Sequence, residues 1–536
     1  MKAPWTRFRR NSGLATTLIF LAVLHPADLI TSTFFSALIN TMSITTDMQI
    51  ASNDRGTLEA LPAELLRNVA EHLKGYVDLK ALCLVSKRFS NVVQGEIFKF
   101  AILNDDNALQ LIRSIVLRPE MSTEVTCLSV RFEAINSATQ SRFMEYRASG
   151  ENLDSFLESN PPGSLMHQVY TKMDQKMHTD LKSFWLHLLS KGDPDAVLAY
   201  LLCSLPKIKK LEIHTKQLQE GGFSFIEQVL GGRDGCIAGF ASTSILAKLQ
   251  TVNLSSSARA PFVGRSSFAA LARLIAAPKL EEFEVDGLAS PQKLSMLPIE
   301  VSLKTLTIRS FMTDAAYLAN VIMSSTKLES LHVSFRWSLR YTEEWLRVLY
   351  QALALRTDTL KRLTVVPDAV NTVGLPSLTG SNAIYAAEFV GTPVLLPDMS
   401  NFTQLTHLAI PQFALLGFPA VDPQVLAAEE GMKPFWARFP REHLVNLNII
   451  WATRDLFGYL EDLPFIGFHI FPELKVLAIS FVELGATARE THAFDRRLEC
   501  LSGHFAHSDV TLNWVRPPTA DEELDAFFEE NEAVRA

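Results

Sequence analysis

Cysteine is scarce in this chain. Cys83, Cys127, Cys203, Cys236 and Cys500 are scattered, odd in number and never arranged as CxxC. That pattern gives no sign of a zinc site or a disulfide framework. Free, buried thiols in a reducing compartment are the expectation. A strongly basic region is also missing. The net charge is −8, and residues 519–536 hold seven acids (Asp521, Glu522, Glu523, Asp525, Glu529, Glu530, Glu532) against Arg535. The tail therefore carries −6 and everything before it only −2, which disfavours nucleic acid as a partner. No apolar run is long enough to cross a membrane. Leu14 to Leu24 and Leu29 to Ile39 are short, and His25-Pro26 and Asp28 separate them, so a membrane partner is not expected. Signature motifs of catalysis are absent too. GGRDG (231–235) lacks the Lys-Ser/Thr of a phosphate loop, GGFSF (221–225) lacks the second glycine of a nucleophile elbow, and HExxH does not occur. No metal, no cofactor and no catalytic residue are expected.

What the chain does have is length and apolar content. Its 536 residues, 48% hydrophobic and 20% charged, are ordinary for globular protein and long enough for about three domains. Residues 1–50 form an N-terminal extension that starts with Arg7, Arg9 and Arg10 before the first apolar run. It has the look of a signal peptide, a signal anchor or a mitochondrial transit segment. Alternatively, translation begins downstream at Met42 or Met48, and residues 1–41 lie outside the working fold.

The stretch 57–102 is the first organised segment. Leu61-Pro62 favours an extended approach followed by a helix. Leu65, Val69 and Leu73 recur at i, i+4, i+8 as one helical stripe. Lys74-Gly75 can end that helix, and Asp78 reads as the N-cap of a second, carrying Leu79, Leu82 and Cys83. Phe89, Val92, Val93, Ile97 and Phe98 make a third short amphipathic run. Three helices in about 40 residues make a small core. With Leu61-Pro62, Glu64-Leu65-Leu66, Val69, Leu73, Leu79 and Leu82-Cys83-Leu84-Val85-Ser86-Lys87-Arg88-Phe89, the segment resembles an F-box. Phe89 stands where that family often has Trp. The resemblance implies docking on the Skp adaptor of cullin-based ubiquitin ligases. It assigns adaptor binding to Leu61, Pro62, Leu65, Leu66, Val69, Leu73, Leu79, Leu82, Val85 and Phe89, and it places the protein in the cytoplasm or nucleus. An ordinary three-helix start to a helical domain is the plain alternative.

Residues 103–200 read as a mainly helical linker region. EVTCLSVRF has strand character, and 149–164 reads as a loop around Pro161-Pro162-Gly163. From 201 to 515 a hexamer recurs: apolar, two variable, apolar, one variable, apolar. Its instances are IKKLEI (208–213), LQTVNL (249–254), LEEFEV (280–285), LKTLTI (303–308), LESLHV (328–333), LKRLTV (360–365), LTHLAI (405–410), LVNLNI (444–449) and LKVLAI (474–479). VTCLSV (125–130) is a candidate outlying member, and DVTLNW near 510 a candidate last strand. Successive starts lie 23 to 45 residues apart with helical patterns between several of them, which is the signature of a solenoid whose units bury each other's apolar faces. The hexamers resemble irregular leucine-rich repeats of the kind found behind F-boxes in fungal proteins. The fold class expected is α/β, a three-helix F-box followed by an irregular leucine-rich-repeat-like solenoid. A compact α/β domain is the competing architecture.

In a solenoid strand the variable positions face out, onto the concave sheet. Lys209, Lys210, Glu212, Glu281, Glu282, Glu284, Lys304, Glu329, His332, Lys361 and Arg362 form such a polar ribbon and are the candidate target-binding residues. The sequons at Asn253 and Asn401 fall on or beside strands and read as chance. The tail, 516–536, reads as solvated, with Leu524, Phe527 and Phe528 able to form one helical turn. The function these features point to is substrate recognition in an SCF-type ligase: a Skp-type adaptor and, through it, a cullin on one side, and an unknown target protein on the other. A repeat scaffold that assembles no ligase is the alternative, and an enzyme with an unrecognised site in 366–440 is a third class.

Overall fold

The computed structural model describes residues 62–72, 76–85, 87–135, 139–149, 153–172, 179–218, 246–256, 271–286, 300–311, 315–335, 342–367, 399–416, 436, 439–440, 442–452, 456–461, 463, 470–481, 488–506 and 508–515. The N-terminal extension, Leu61, Leu73, the excursions near 219–245, 368–398 and 417–435, and the acidic tail lie outside the described residues. The chain divides into two units, Met1–Phe100 and Ala101–Ala536.

In the first unit three helices follow one another: α1 Ala63–His72, α2 Tyr76–Val85 and α3 Lys87–Ile97. The Pro62 carbonyl accepts the amides of Leu65 and Leu66, both at 3.1 Å, and Glu64 sits in the first turn, where its charge suits the helix dipole. Asp78 is the third residue of α2; it stands inside the helix that it was expected to cap. Among the described side chains, Leu66, Ala70, Leu79 and Val93 are buried, and Leu82, Cys83, Val92, Ile97 and Phe100 pack partly against them. On α1 the described buried residues are Leu66 and Ala70. Leu65, assigned by periodicity to the apolar stripe, is 45% exposed. Two leucines in sequence sit about 100° apart on a helix, so only one of them faces the centre of a unit this small.

The second unit is built on one sheet: β1 Phe100–Asn104, β2 Cys127–Ile135, β3 Lys210–Leu218, β4 Thr251–Ser256, β5 Glu282–Asp286, β6 Thr305–Phe311, β7 Ser330–Phe335, β8 Arg362–Pro367, β9 His407–Pro411, β10 Asn446–Ala452, β11 Val476–Phe481 and β12 Thr511–Val515. Their spatial order is their sequence order, β1 through β12, and the ladders from β2 to β12 are parallel. A doubly wound sheet reverses its strand order at a switch point. This sheet never reverses, so the architecture is a one-directional stack and the compact α/β alternative is excluded.

All nine hexamers coincide with β3 to β11. VTCLSV leads into β2, and DVTLNW contains most of β12. The apolar positions form three inward rows. In β6 these are Leu303, Leu306 and Ile308; in β7, Leu328, Leu331 and Val333; all are 0 or 1% exposed. Helices on the connections close over them. Helix Ala315–Ser324 buries Leu318, Val321 and Ile322, and helix Thr342–Leu353 buries Leu346, Leu349 and Leu353. Burial at roughly 1.5–3 kcal/mol per large apolar side chain, repeated at each rung, is what holds the stack.

One backbone feature repeats from rung to rung. Just before each strand from β2 to β10, a single carbonyl accepts two successive amides of the next rung. Thr126 O takes Lys209 N (2.7 Å) and Lys210 N (3.0 Å), Lys209 O takes Gln250 N (2.7 Å) and Thr251 N (3.0 Å), and Glu281 O takes Lys304 N (2.8 Å) and Thr305 N (2.9 Å). The same pairing continues through Glu329, Lys361, Thr406 and Val445.

Two expectations change. Residues 103–200, read as a linker, belong to the stack: β1 and β2 are its first rungs. Helix Pro194–Ser204 lies buried from Asp195 to Leu202, its N-cap Asp193 accepting the Ala196 amide at 3.2 Å. Trp185 Nε1 donates to the Ala196 carbonyl at 3.0 Å. Within the expected loop 149–164, Leu153–Ser159 is a helix that buries Phe156. The turn is confined to the Pro-Pro-Gly step, where Gly163 takes a φ of +91° that costs glycine little.

Candidate functional site

Two surfaces carry the candidate residues, one on each unit. On the three-helix unit, Leu66 and Leu79 are 0 and 1% exposed and Leu82 is half-buried. Leu66 and Leu79, both assigned to adaptor binding, therefore hold the unit together from inside. A side chain already surrounded by its own helices touches no partner while that packing lasts. Outward are Pro62, Leu65 at 45% and Leu84 at 80% exposure. Leu61 and Leu73 are outside the described residues, as are the side chains of Val69, Val85 and Phe89. Leu84 lies within the F-box-like segment, though the resemblance assigns it no adaptor contact. The signal for it is the run Leu82-Cys83-Leu84-Val85, four apolar residues in a helix that can bury only part of its circumference.

On the stack, the site is the sheet face opposite the inward rows. The parallel register sets its rows. One row runs Lys210, Thr251, Glu282, Thr305, Ser330, Arg362, His407, Asn446, Val476, Thr511; the next runs Glu212, Asn253, Glu284, Thr307, His332, Thr364, Ala409, Asn448, Ala478, Asn513. Lys209, Glu281, Lys304, Glu329 and Lys361 stand one residue earlier, beside the doubly accepting carbonyls.

Most charges here neutralise one another. Lys210 Nζ meets Glu212 at 2.6 Å, Lys304 meets Glu281 at 3.1 Å, Lys361 meets Glu329 at 2.8 Å, and Arg309 meets Glu284 at 2.8 Å. Asn253 Nδ2 also donates to Glu284 at 3.1 Å. The acidic and basic rungs are therefore largely stitched to each other, each exposed pair contributing about 0–1 kcal/mol. Among the described residues, Glu282 accepts only a long bond from Thr251 Oγ1, 3.3 Å. Small residues flank the acids of β5 on both sides, which opens a shallow hollow of about 350 Å³ lined by Lys210, Thr251, Asn253, Glu282, Glu284, Thr305 and Thr307 with Val252 and Phe283 beneath. Toward β9–β12 the face changes to Ala409, Asn448, Val476 and Ala478, with no acid in these rows.

The titrating groups reflect that environment. Partial burial pushes the Glu212 carboxyl up, but the Lys210 ammonium bonded to it prevails and holds it below the usual range. The bond to Lys361 holds Glu329 low. Three histidines on this face are pulled down: His214 and His332 by burial first, with Arg131 and Arg309 respectively adding to it, and His407 by burial and then Arg362. Nδ1 of His214 also shares a hydrogen bond with Ser255 Oγ. Of these, only His332 is legible as a site residue in the sequence. Arg309 escapes notice because the hexamer LKTLTI stops one residue before it, and alternation carried one step further reaches it. Asn253 lies on β4 as expected and is engaged with Glu284, whereas Asn401 ends a short 3-10 helix, Met399–Asn401, and does not adjoin β9. Among the described residues no group of three or more His, Cys, Asp or Glu side chains is placed to hold a metal ion, and no helix is long and apolar enough to cross a membrane.

No family model matches the chain, and no curated protein matches it. Among solved structures, the crystal structure of the Rad7 and Elc1 complex in yeast is matched at a TM-score of 0.22 and 10% identity, over 87% of this chain and 97% of that chain. A likeness that slight carries no argument about function.

Proposed function

We propose that this chain is the substrate-recognition subunit of an SCF-type ubiquitin ligase. The three-helix unit docks a Skp-type adaptor, and through it a cullin. The open face of the stack holds a target protein, with the hollow over β3–β6 at its polar end. The observation that carries this reading is the pair of leucines left in water, Leu65 at 45% and Leu84 at 80% exposure, on a unit whose sequence resembles an F-box and whose own core is too small to stand comfortably alone. Apolar surface that contributes nothing at home is available to a partner. The chain supplies no reacting group in this role. It brings target and conjugating enzyme together, and proximity is the contribution. The reading places the protein in the cytoplasm or nucleus, where such adaptors work.

The test is an affinity purification of the chain from cells, with and without Leu61→Ala/Pro62→Ala and, separately, Leu84→Asp. Adaptor and cullin recovered with the parent and lost with both variants is the expected result. Recovery of the adaptor without cullin turns the reading to a non-ligase scaffold. Adaptor retained by all forms removes the docking assignment.

A further inference from the structure

The outward row that runs from Lys210 to Thr511 holds three charged residues, Lys210 on β3, Glu282 on β5 and Arg362 on β8. Lys210 is taken by Glu212 at 2.6 Å. Glu282 is exposed and, among the described residues, has only the long bond from Thr251 and no base paired with it. Arg362 is exposed too, and its guanidinium closes no ion pair among the described residues. The acid that feels it, Glu329, is bonded to Lys361 at 2.8 Å and is held low by that bond first and by Arg362 last. His407, next in the row, is pulled toward its neutral form by burial and then by Arg362, and Asn446, Val476 and Thr511 beyond it carry no charge. The neighbouring charges are placed differently. Lys304 and Arg309 are bonded to Glu281 and Glu284, Asp286 lies across from Arg309 in register, and Lys209 stands before β3, at the end away from Arg362.

The row therefore keeps one negative and one positive charge apart, with Thr305 and Ser330 between them. Three inter-strand steps separate the two, about 14 Å at the backbone, too far for them to pair. The residues between are short, so another chain can lie close over them. At the acidic end the surface is also hollowed. Glu282 stands on the wall of the depression of about 350 Å³, beside Thr251 and Thr305, which leaves room for a long side chain. At the basic end the planar fork of Arg362 is open to accept a carboxylate in a two-bonded pair. An extended polypeptide advances about 3.3–3.6 Å per residue, so about four residues span the distance.

We infer that this face recognises an extended segment of the target that carries a lysine or arginine and, about four residues away, an aspartate or glutamate. The base enters the hollow beside Glu282, and the acid meets the guanidinium of Arg362. A segment with two bases or two acids at that spacing meets a like charge at one end, which makes the row a filter as well as a clamp. This rests on the reading of the open face as the target-binding surface.

A random twelve-residue peptide library displayed on phage, selected on the immobilised full chain, tests it. Peptides enriched on the parent should pair a base with an acid three to five residues apart. Selection on Glu282→Lys should lose the base and keep the acid, and selection on Arg362→Glu should lose the acid and keep the base. If either variant fails to fold by far-UV circular dichroism, Glu282→Gln and Arg362→Gln are read the same way. One selected peptide, labelled and titrated by fluorescence anisotropy, should bind Glu282→Gln about tenfold more weakly than the parent. Replacing its base by Gln should cost the parent the same factor and the Glu282→Gln chain nothing further. No enrichment over the bare support, enrichment without the charge pair, or the same peptides on all three chains overturns the inference. Adaptor capture is read separately, on the three-helix unit. Charge-paired peptides from a chain that captures no adaptor remove the ligase reading and leave this inference standing; adaptor capture without such peptides does the opposite.

Discussion

The strand leucines of the stack and the helix leucines of the three-helix unit are treated differently. In the stack, Leu303, Leu306, Leu328 and Leu331 all face inward at 0 or 1% exposure, and each is covered by rungs on both sides. In the three-helix unit, Leu66 and Leu79 face inward while Leu65 and Leu84 stay in water. The stack shares its core among rungs, so its apolar pattern is spent on itself. The small unit has one centre, and what the centre cannot hold becomes surface. Under the proposed function, an exposed leucine there is surface for an adaptor, whereas in the stack exposed leucines such as Leu117 and Leu355, both at 56%, lie on the connections and not in the strands.

Substitutions probe that contrast, the costliest first. Phe283→Ala removes a large buried side chain from the middle of the stack and should cost about 3–5 kcal/mol, read from the denaturant midpoint; a loss near zero would mean that rungs do not share a core. Leu66→Ala should cost about 2–5 kcal/mol, close to the whole stability of so small a unit. Hydrogen exchange should then show α1–α3 losing protection while β3–β11 keep theirs. Leu84→Asp should shift stability by no more than about 0.5 kcal/mol while abolishing adaptor capture, and a large destabilisation would place Leu84 in a core instead. Breaking the Arg309–Glu284 pair with Arg309→Gln should cost about 0.2–1 kcal/mol, less in high salt, as a double-mutant cycle with Glu284→Gln would measure.

The smallest effect is one of pH. His214, His332 and His407 titrate below their ordinary value of 6.5 in the folded chain. Below 6.5 the unfolded chain therefore binds more protons than the folded one, and stability rises with pH through that window. Put the other way, stability is full above 6.5 and is lost as pH falls toward the depressed folded values. A Tm series across 6.5 should show the fall, and His332→Gln should flatten it; a rise on acidification would contradict the burial of these rings.

The stack was the legible part of the sequence, because its apolar positions repeat at fixed spacing and each hexamer names its own inward rows. Its first rung was hidden. In FKFAIL (98–103) alanine fills the middle apolar position, and Ala101 gives too weak a signal to be read as core. On α1, periodicity found an apolar stripe but chose Leu65 over Leu66, since two adjacent leucines satisfy the same period and only packing decides between them. On the open face, alternation located the polar residues correctly but not their relations. That Glu281, Glu284 and Glu329 are spoken for by Lys304, Arg309 and Lys361 depends on which rung lies beside which, and variable gaps conceal that in a linear sequence.

The carbonyl that accepts two amides at each rung has a consequence for how such a chain can change over time. It is a fixed coupling, identical from Thr126 to Val445, and it passes nothing to the next rung except a position for the backbone. Neighbouring connections do touch, as where Arg356 Nε donates to the Ile322 carbonyl at 3.0 Å, but the strand register is set at the coupling. Spacings of 23 and 45 residues can therefore sit in one molecule, and connections can lengthen, shorten or acquire new surface by insertion and deletion without re-registering a single strand. The chain is free to drift in its loops because its rungs are joined like the couplings of a train.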